Sequence, residues 1–95
     1  MRRLVLSPGA VSDINGIWDY TAGRWGPDKA DDYTDGLRDA CHALAEGSKQ
    51  GRRLDIRDGY LKYVLGAHVI YFRHDGQDLV VIRILHGRMD IGRHL

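Results

Sequence analysis

The dipeptide Gly26-Pro27 separates two segments that both show the hydrophobic spacing of an α-helix, and it leaves almost no chain between them. Glycine accepts the left-handed backbone conformation that ends a helix, and proline suits the first position of the next helix. In both segments the apolar residues recur every three or four positions. Because the connection is so short, the sequence predicts that the two helices fold back on each other as an antiparallel hairpin.

The first helix is predicted to begin at Ser7-Pro8, because serine is a natural N-cap and proline a favoured first helical residue. The short apolar run at residues 2–6 precedes it and is typical of a strand. We expect Trp18 and Trp25 to pack in the core, since they share the apolar stripe of this helix. That stripe consists of Val11, Ile14, Trp18, Thr21, Ala22 and Trp25.

The second helix carries one apolar face and is predicted to end at Gly47. Its face consists of Ala30, Tyr33, Leu37, Ala40, Cys41 and Leu44. A polar, basic loop at 48–59 follows, with Leu54 and Ile56 as expected anchors onto the domain.

Beyond the loop the pattern changes to β-branched and aromatic residues at 60–65, 68–74 and 79–85, separated by the turn sequences Gly66-Ala67 and Asp75-Gly76. We interpret these runs as a three-stranded antiparallel meander. The order strand, helix, helix, three strands predicts an α+β fold in which both helices pack on one face of an antiparallel or mixed sheet. With 95 residues in total, the chain is predicted to form a single domain, 1–95.

The net charge is only +1, but the two signs are unevenly distributed. Residues 13–46 contain eight acids and three bases, whereas residues 47–95 contain nine bases and five acids. The basic part either faces a partner or simply lies in solvent. The single cysteine, Cys41, excludes an intramolecular disulfide, and the histidine spacings match no usual zinc pattern.

Several function classes are not indicated by the sequence. The twelve glycines form no phosphate-binding loop, so we expect no nucleotide cofactor, no other cofactor and no small-molecule ligand. The N-terminal apolar run is too short for a signal peptide core, and no run is long enough to span a membrane. We therefore expect a cytoplasmic protein without a membrane partner.

The closing motif Arg83-Ile-Leu-His-Gly-Arg-Met-Asp90 is the most specific part of the chain. Together with the short first strand, the helical hairpin, Gly59-Tyr60 at the start of the meander and Ile70-Tyr-Phe-Arg73 within it, this motif resembles the ParE branch of the RelE/ParE toxin superfamily. The resemblance covers essentially the whole chain. It implies a RelE/ParE-like fold and a toxin that poisons DNA gyrase by binding, without an active site of its own. It also implies a ParD-like antitoxin, with DNA contacted only through gyrase or the antitoxin.

The resemblance and the charge pattern indicate two sets of binding residues. The predicted target-binding set consists of Arg57, Arg83, His86, Arg88, Met89, Asp90 and Arg93. The predicted antitoxin-binding set consists of Ile17, Tyr20, Tyr33, Leu37, Arg52 and Arg53. Each set has a structural alternative: His86 can hydrogen-bond the backbone, Arg88 can pair with Asp90, and the groove residues can belong to the core.

Other branches of the superfamily are ribosome-dependent messenger-RNA endonucleases, which is the alternative function. RNA cleavage needs proton-transfer groups and cations that stabilise the phosphorane. By residue type, the cations could be Arg57, Arg83 and Arg88, and the proton-transfer group could be His68, His86 or His94. However, the places that match the Tyr-Arg and C-terminal tyrosine hallmarks of that branch hold Ala67-His68 and His94. A third possibility is a degenerate, non-toxic relative that binds its antitoxin.

Overall fold

The computed structural model describes residues 2–95; Met1, the first residue of the predicted domain, lies outside that range. The elements are β1 (Arg3–Leu6), α1 (Pro8–Trp25), α2 (Pro27–Glu46), β2 (Arg52–Arg53), β3 (Tyr60–Leu65), β4 (His68–Asp75), β5 (Asp78–His86) and a short 3-10 helix (Ile91–Arg93). The predicted α+β order of strand, helical hairpin and three-stranded meander is confirmed. The segment 48–59, predicted as a loop, contains the additional strand β2.

The five strands form one mixed sheet in the order β1-β5-β4-β3-β2. β1 runs parallel to β5, and the remaining neighbours are antiparallel. The first and the last strand of the chain are therefore neighbours in the sheet. Both helices then cover one face.

Each face of the sheet carries its own apolar cluster. The helix-facing cluster includes Ile14, Leu37, Cys41, Ile70, Phe72, Leu79, Val81 and Ile84. The opposite face is covered by the loop and the C-terminus, and its cluster consists of Leu54, Val69, Tyr71 and Leu85, with Tyr60, Ile91 and Leu95 packed against them. Leu54 is thus an anchor as predicted, whereas Ile56 is 63% exposed and the prediction for it is wrong.

The N-terminal end of α1 follows its sequence signals. The side-chain oxygen of Ser7 accepts a hydrogen bond from the backbone N–H of Ala10 at 3.0 Å, which confirms the N-cap. The two fully buried residues of α1, Ala10 and Ile14, lie in its first half. The second half packs on α2, where Trp18 is half-buried and Trp25 is 67% exposed, so the prediction of Trp25 as a core residue is wrong. The helical period predicts on which face of a helix a residue lies, but it does not predict how far the sheet extends beneath that face.

β5 contains a β-bulge next to the start of α1. Tyr71 pairs with Arg83 and Phe72 with Val81, so Ile82 is the extra residue. The carbonyl oxygen of Ile82 accepts a hydrogen bond from the Ser7 hydroxyl at 2.6 Å. A bulge increases local twist and reverses which side chains face each side of the sheet. As a result, the alternation of residues that face the helices shifts by one position at Ile82.

Candidate functional site

A wide groove runs between α1, the first turns of α2 and the adjacent ends of β4 and β5, with a volume of about 810 Å³. Apolar and aromatic side chains dominate its lining. They include Ile17, Tyr20, Trp25, Tyr33, Ile84, Leu85 and Met89. Tyr20, Trp25 and Met89 are 64%, 67% and 43% exposed, so large apolar groups face solvent side by side. A surface of this kind is typical of a protein-binding site.

The charged side chains along the groove are mainly basic. Arg24 and Lys29 flank the connection between the two helices, and the Arg24 guanidinium lies 5.6 Å from the centre of the Tyr20 ring. The acid that lines the groove, Asp13, is engaged in an ion pair with Arg83. The groove therefore combines an apolar floor with a rim of positive charge, which suits an acidic amphipathic partner.

Two histidines lie at the end of the groove formed by the strands. His68, the first residue of β4, pairs directly with His86, the last residue of β5, and the ring centres are 5.5 Å apart at an angle of 82°. The Tyr33 hydroxyl lies 2.6 Å from Nδ1 of His68. The backbone N–H of Arg88 donates to Nδ1 of His86 at 3.1 Å. His86 thus makes the backbone hydrogen bond that was the structural alternative for it, and it also lines the groove.

The environment of this pair disfavours a charged imidazole. Burial lowers the pKa of His68, and the neighbouring His86 lowers it further, although the carboxylate of Asp13 opposes both effects. Burial also raises the pKa of the Tyr33 hydroxyl. This end of the groove therefore favours the neutral forms of the His68 ring and of the Tyr33 hydroxyl near pH 7.

Arg83, a residue of the predicted target-binding set, forms a partly buried ion pair with α1. Its Nε and Nη2 donate to the two carboxylate oxygens of Asp13 at 2.7 and 2.8 Å, and the backbone N–H of Ile84 donates to the same carboxylate at 2.9 Å. The pair ties the bulge of β5 to α1. Arg83 packs so closely against α1 that a Cβ on Gly9 would lie 3.0 Å from its side chain. The guanidinium is therefore engaged in a partly buried ion pair.

Two other residues of the predicted target-binding set, His86 and Met89, line the groove, and Met89 also belongs to an exposed surface near the C-terminus. Arg88, Met89, Asp90 and Arg93 are exposed. We call these four residues the C-terminal surface. The segment that carries them is anchored on the outer face of the sheet by Ile91 and Leu95.

Local contacts shape this segment. A carboxylate oxygen of Asp90 accepts the backbone N–H of Gly92 at 3.0 Å and so caps the short helix, and Asp90 lies 3.8 Å from Arg93. The pairing that was considered for Asp90 with Arg88 is thus replaced by one with Arg93. Arg57 donates to the backbone carbonyl of Leu95 and lies over the ring of Tyr60, so it contacts the C-terminal segment.

The predicted antitoxin-binding set is only partly brought together. Ile17, Tyr20 and Tyr33 line the groove. Leu37 is fully buried in the core and offers no surface to a partner. Arg52 and Arg53 lie on β2, the edge strand at the far side of the sheet.

Sequence reasoning missed His68, Asp13 and Trp25 as groove residues. One signal was available for the bulge: Arg83 is in phase with the buried positions Leu79 and Val81, where a continuous strand would direct a charge into the core. Among residues 2–95, no group of three or more histidine, cysteine, aspartate or glutamate side chains could hold a metal ion. Within the same range, neither helix is apolar enough over a sufficient length to cross a bilayer.

The chain is similar to known proteins over nearly its whole length. Residues 4–91 match the model of the family described as the ParE toxin of the type II toxin-antitoxin system parDE. The chain is 41% identical to Toxin ParE1 of Mycobacterium tuberculosis (strain CDC 1551 / Oshkosh), over 98% of this chain and 97% of that protein. It is 34% identical to Toxin ParE1 of Caulobacter vibrioides (strain ATCC 19089 / CIP 103742 / CB 15), over 100% and 99%.

A solved structure, described as the chromosomal ParDE TA system from P. aeruginosa, is similar in fold, with a TM-score of 0.80 over 90% of this chain and 96% of that one, at 22% identity. The family match spans nearly the whole chain, and the two relatives cover it from end to end. The chain therefore belongs to the ParE toxin family of type II toxin–antitoxin systems.

Proposed function

We propose that this protein acts in the cytoplasm as a toxin that inhibits DNA gyrase by binding it, and that a ParD-like antitoxin neutralises it by occupying the groove. The observation that carries the proposal is the division of the closing motif. Arg83 is held in a partly buried ion pair with Asp13, whereas Arg88, Met89, Asp90 and Arg93 form an exposed surface on an anchored segment. Arginine and methionine on a rigid surface are suited to recognition of a protein partner.

The groove supports the antitoxin part of the proposal. Recognition of an amphipathic helix needs an elongated apolar depression, into which residues of one helix face insert at intervals of three or four. The side chains of Tyr20, Trp25 and Met89 provide apolar surface for such contacts, and Arg24 and Lys29 provide charges for an acidic helix. Charged groups at a rim increase the rate of encounter more than they tighten the complex.

The endonuclease alternative needs cations that converge on one phosphate. Arg83 forms its ion pair on the helix-covered side of β5, while Arg57 contacts Leu95, whose side chain packs on the opposite face of the sheet. Arg88 is exposed on the segment after β5. This distribution favours a binding mode over a catalytic one, because transition-state stabilisation requires donors preorganised around the reacting group.

A paired assay tests the proposed function. Purified protein is added to a supercoiling reaction with purified gyrase and, separately, to translating ribosomes with the message followed by primer extension. We expect supercoiling to be inhibited and the message to remain intact. Cleaved message together with normal supercoiling would contradict the proposal.

A matched set of variants locates the surface. The double variant Arg88→Ala/Arg93→Ala is expected to weaken gyrase inhibition at least about tenfold, as loss of interface arginines commonly does. Arg38→Ala removes an exposed arginine on α2, where it pairs with Asp35, and is expected to leave inhibition unchanged. Equal inhibition by both variants would exclude the C-terminal surface as the gyrase contact.

A further inference from the structure

Each histidine of the pair at the end of the groove has one ring nitrogen in a hydrogen bond. In both rings the engaged atom is Nδ1, bonded to the Tyr33 hydroxyl in His68 and to the Arg88 backbone N–H in His86. Within residues 2–95, neither Nε2 has a hydrogen-bond partner. Both rings line the groove, so two ring edges are available to a bound molecule.

The hydrogen bonds decide which nitrogen carries the proton. A backbone N–H can only donate, so Nδ1 of His86 must be the acceptor and the proton lies on Nε2. The Tyr33 hydroxyl is 2.6 Å from Nδ1 of His68 and 3.4 Å from the carbonyl oxygen of Leu65, so its better acceptor is the ring. His68 therefore also carries its proton on Nε2. Two N–H donors face the groove.

This arrangement selects an acceptor over a metal ion. A metal bound at Nε2 of His86 would require the proton to move to Nδ1, where it would oppose the N–H of Arg88. A carboxylate, in contrast, accepts from two N–H donors at once. The carboxylate of Asp13 does not hydrogen-bond either ring; its partners are Arg83 and the backbone N–H of Ile84.

We infer that His68 and His86 form a carboxylate-binding site that receives an acidic side chain of the antitoxin, and that His68 takes up a proton when the complex forms. This inference rests on the proposed function, since the carboxylate is carried by the antitoxin in the groove. The rim charges of Arg24 and Lys29 favour an acidic segment in the same groove.

His68 rather than His86 takes up the proton, because only His68 can rearrange its hydrogen bonds. A proton on Nδ1 of His68 can be donated to the Tyr33 oxygen, while the hydroxyl turns toward the carbonyl of Leu65. A proton on Nδ1 of His86 would oppose the Arg88 N–H.

Charged and titratable groups of the neighbouring elements line the same groove as the pair. They are Asp13 and Arg24 on α1 and Lys29 and Tyr33 on α2; the segment after β5 contributes the backbone N–H of Arg88. In the free protein, burial and the second imidazole lower the pKa of His68. A bound carboxylate brings the negative charge that reverses this effect, so binding becomes stronger as the pH falls.

Calorimetry tests the inference on the whole chain. The probe is the protein encoded by the reading frame directly beside this gene, purified separately from the toxin. Its binding is titrated at pH 6, 7 and 8, and at pH 7 in phosphate and Tris buffers, whose different ionisation enthalpies reveal proton uptake. We expect net proton uptake by the wild-type toxin and an affinity that increases by up to about tenfold per pH unit as the pH falls.

Three variants isolate the site. His68→Gln keeps an N–H donor but cannot be charged. This variant is expected to bind the neighbouring protein at pH 8, without proton uptake and without the increase in affinity at pH 6. His86→Gln is expected to weaken binding while proton uptake remains. His42→Gln changes an exposed histidine of α2 outside the groove and should match the wild type.

The outcomes separate the two proposals. Binding without proton uptake, or equal uptake in the wild type and in His68→Gln, would overturn the carboxylate site and leave the proposed function standing. If the neighbouring protein does not bind at any pH, the proposed antitoxin pairing fails, and the inference fails with it.

Discussion

Replacement of Asp13 by asparagine tests how strongly one ion pair holds the bulge of β5 against α1. The substitution preserves shape and one carbonyl oxygen, which can still accept the N–H of Ile84. It removes the charge and places an amide NH₂ opposite the Arg83 guanidinium. The variant therefore leaves a cation without its partner, and this is the costly way to disrupt a partly buried pair.

The size of the effect follows from the geometry. Breaking one partner of a fully buried ion pair costs about 3–5 kcal/mol. Here Asp13 and Arg83 keep 13% and 28% of their side-chain exposure, so water can hydrate part of the released guanidinium. We expect the free energy of unfolding to fall by about 2 kcal/mol. For a domain of this size, that corresponds to a fall in Tm of about 8–16 °C.

A second arginine–carboxylate pair on the same strand provides the control. Arg3 donates to Asp78 through Nε and Nη2 at 3.0 and 2.8 Å, with the same bidentate geometry, but its side chain is 76% exposed. Because exposed pairs contribute little, Asp78→Asn should change stability within the error of the measurement. Both variants are compared by urea unfolding monitored by tryptophan fluorescence, at pH 7.

The double variant Asp13→Asn/Arg83→Met completes a thermodynamic cycle. If the cost of Asp13→Asn comes from the stranded guanidinium, removal of Arg83 should recover part of it, with a coupling energy of about 1–2 kcal/mol. Equal losses for Asp13→Asn and Asp78→Asn would refute the reasoning, because burial would then have no influence. A coupling energy near zero would refute it as well.

Three further predictions follow from single residues. Burial lowers the pKa of His68, so the folded state binds a proton on His68 less readily than the unfolded chain does. The free energy of unfolding should therefore fall as the pH drops below about 6.5. In denaturation curves measured at different pH, His68→Gln should show a weaker dependence of stability on pH. Burial raises the pKa of Cys41 to about 11, so Ellman's reagent should label it rapidly in urea and only slowly in the native protein. A Cβ on Gly51 would lie 2.5 Å from the Phe72 ring, so Gly51→Ala should destabilise the fold by about 1–3 kcal/mol in thermal melts. Gly23 lies on open helix surface, so Gly23→Ala should instead stabilise the fold by about 0.5–1 kcal/mol in the same measurement.

Features that depend on neighbouring residues were predictable from the sequence. The Ser7 cap, the helix break at Gly26-Pro27 and the turn at Asp75-Gly76 are decided within a few residues, and the structure confirms each of them. The strand β2 was not predictable, because a two-residue strand is defined by its pairing with Lys62 and Leu61 rather than by its own composition.

Features that depend on distant contacts were missed or misplaced. The hydrophobic period places Trp25 on the correct stripe of α1, but exposure depends on where α1 leaves the sheet. Arg83 lies 70 residues from Asp13 in sequence, so neither its charge nor the closing motif that contains it indicated this ion pair. Leu37 shares its helix face with Tyr33, yet one is buried in the core and the other reaches the groove. The spacing of apolar residues along the helices therefore indicated where the candidate surfaces lie, but it did not identify which residues belong to them.

The bulge links the ion pair to the histidine pair. If the register of Phe72 with Val81 continued to the end of the hairpin, His68 would face Leu85; the extra residue Ile82 shifts the register by one and places His86 there. The same shift turns Ile84 toward the helices and Leu85 toward the outer face. Arg83 directly follows the extra residue, so its ion pair with Asp13 lies at the point where the register changes and two imidazoles become neighbours. If Asp13→Asn destabilised the fold yet left the pH dependence of antitoxin binding unchanged, the ion pair would anchor α1 without controlling that register.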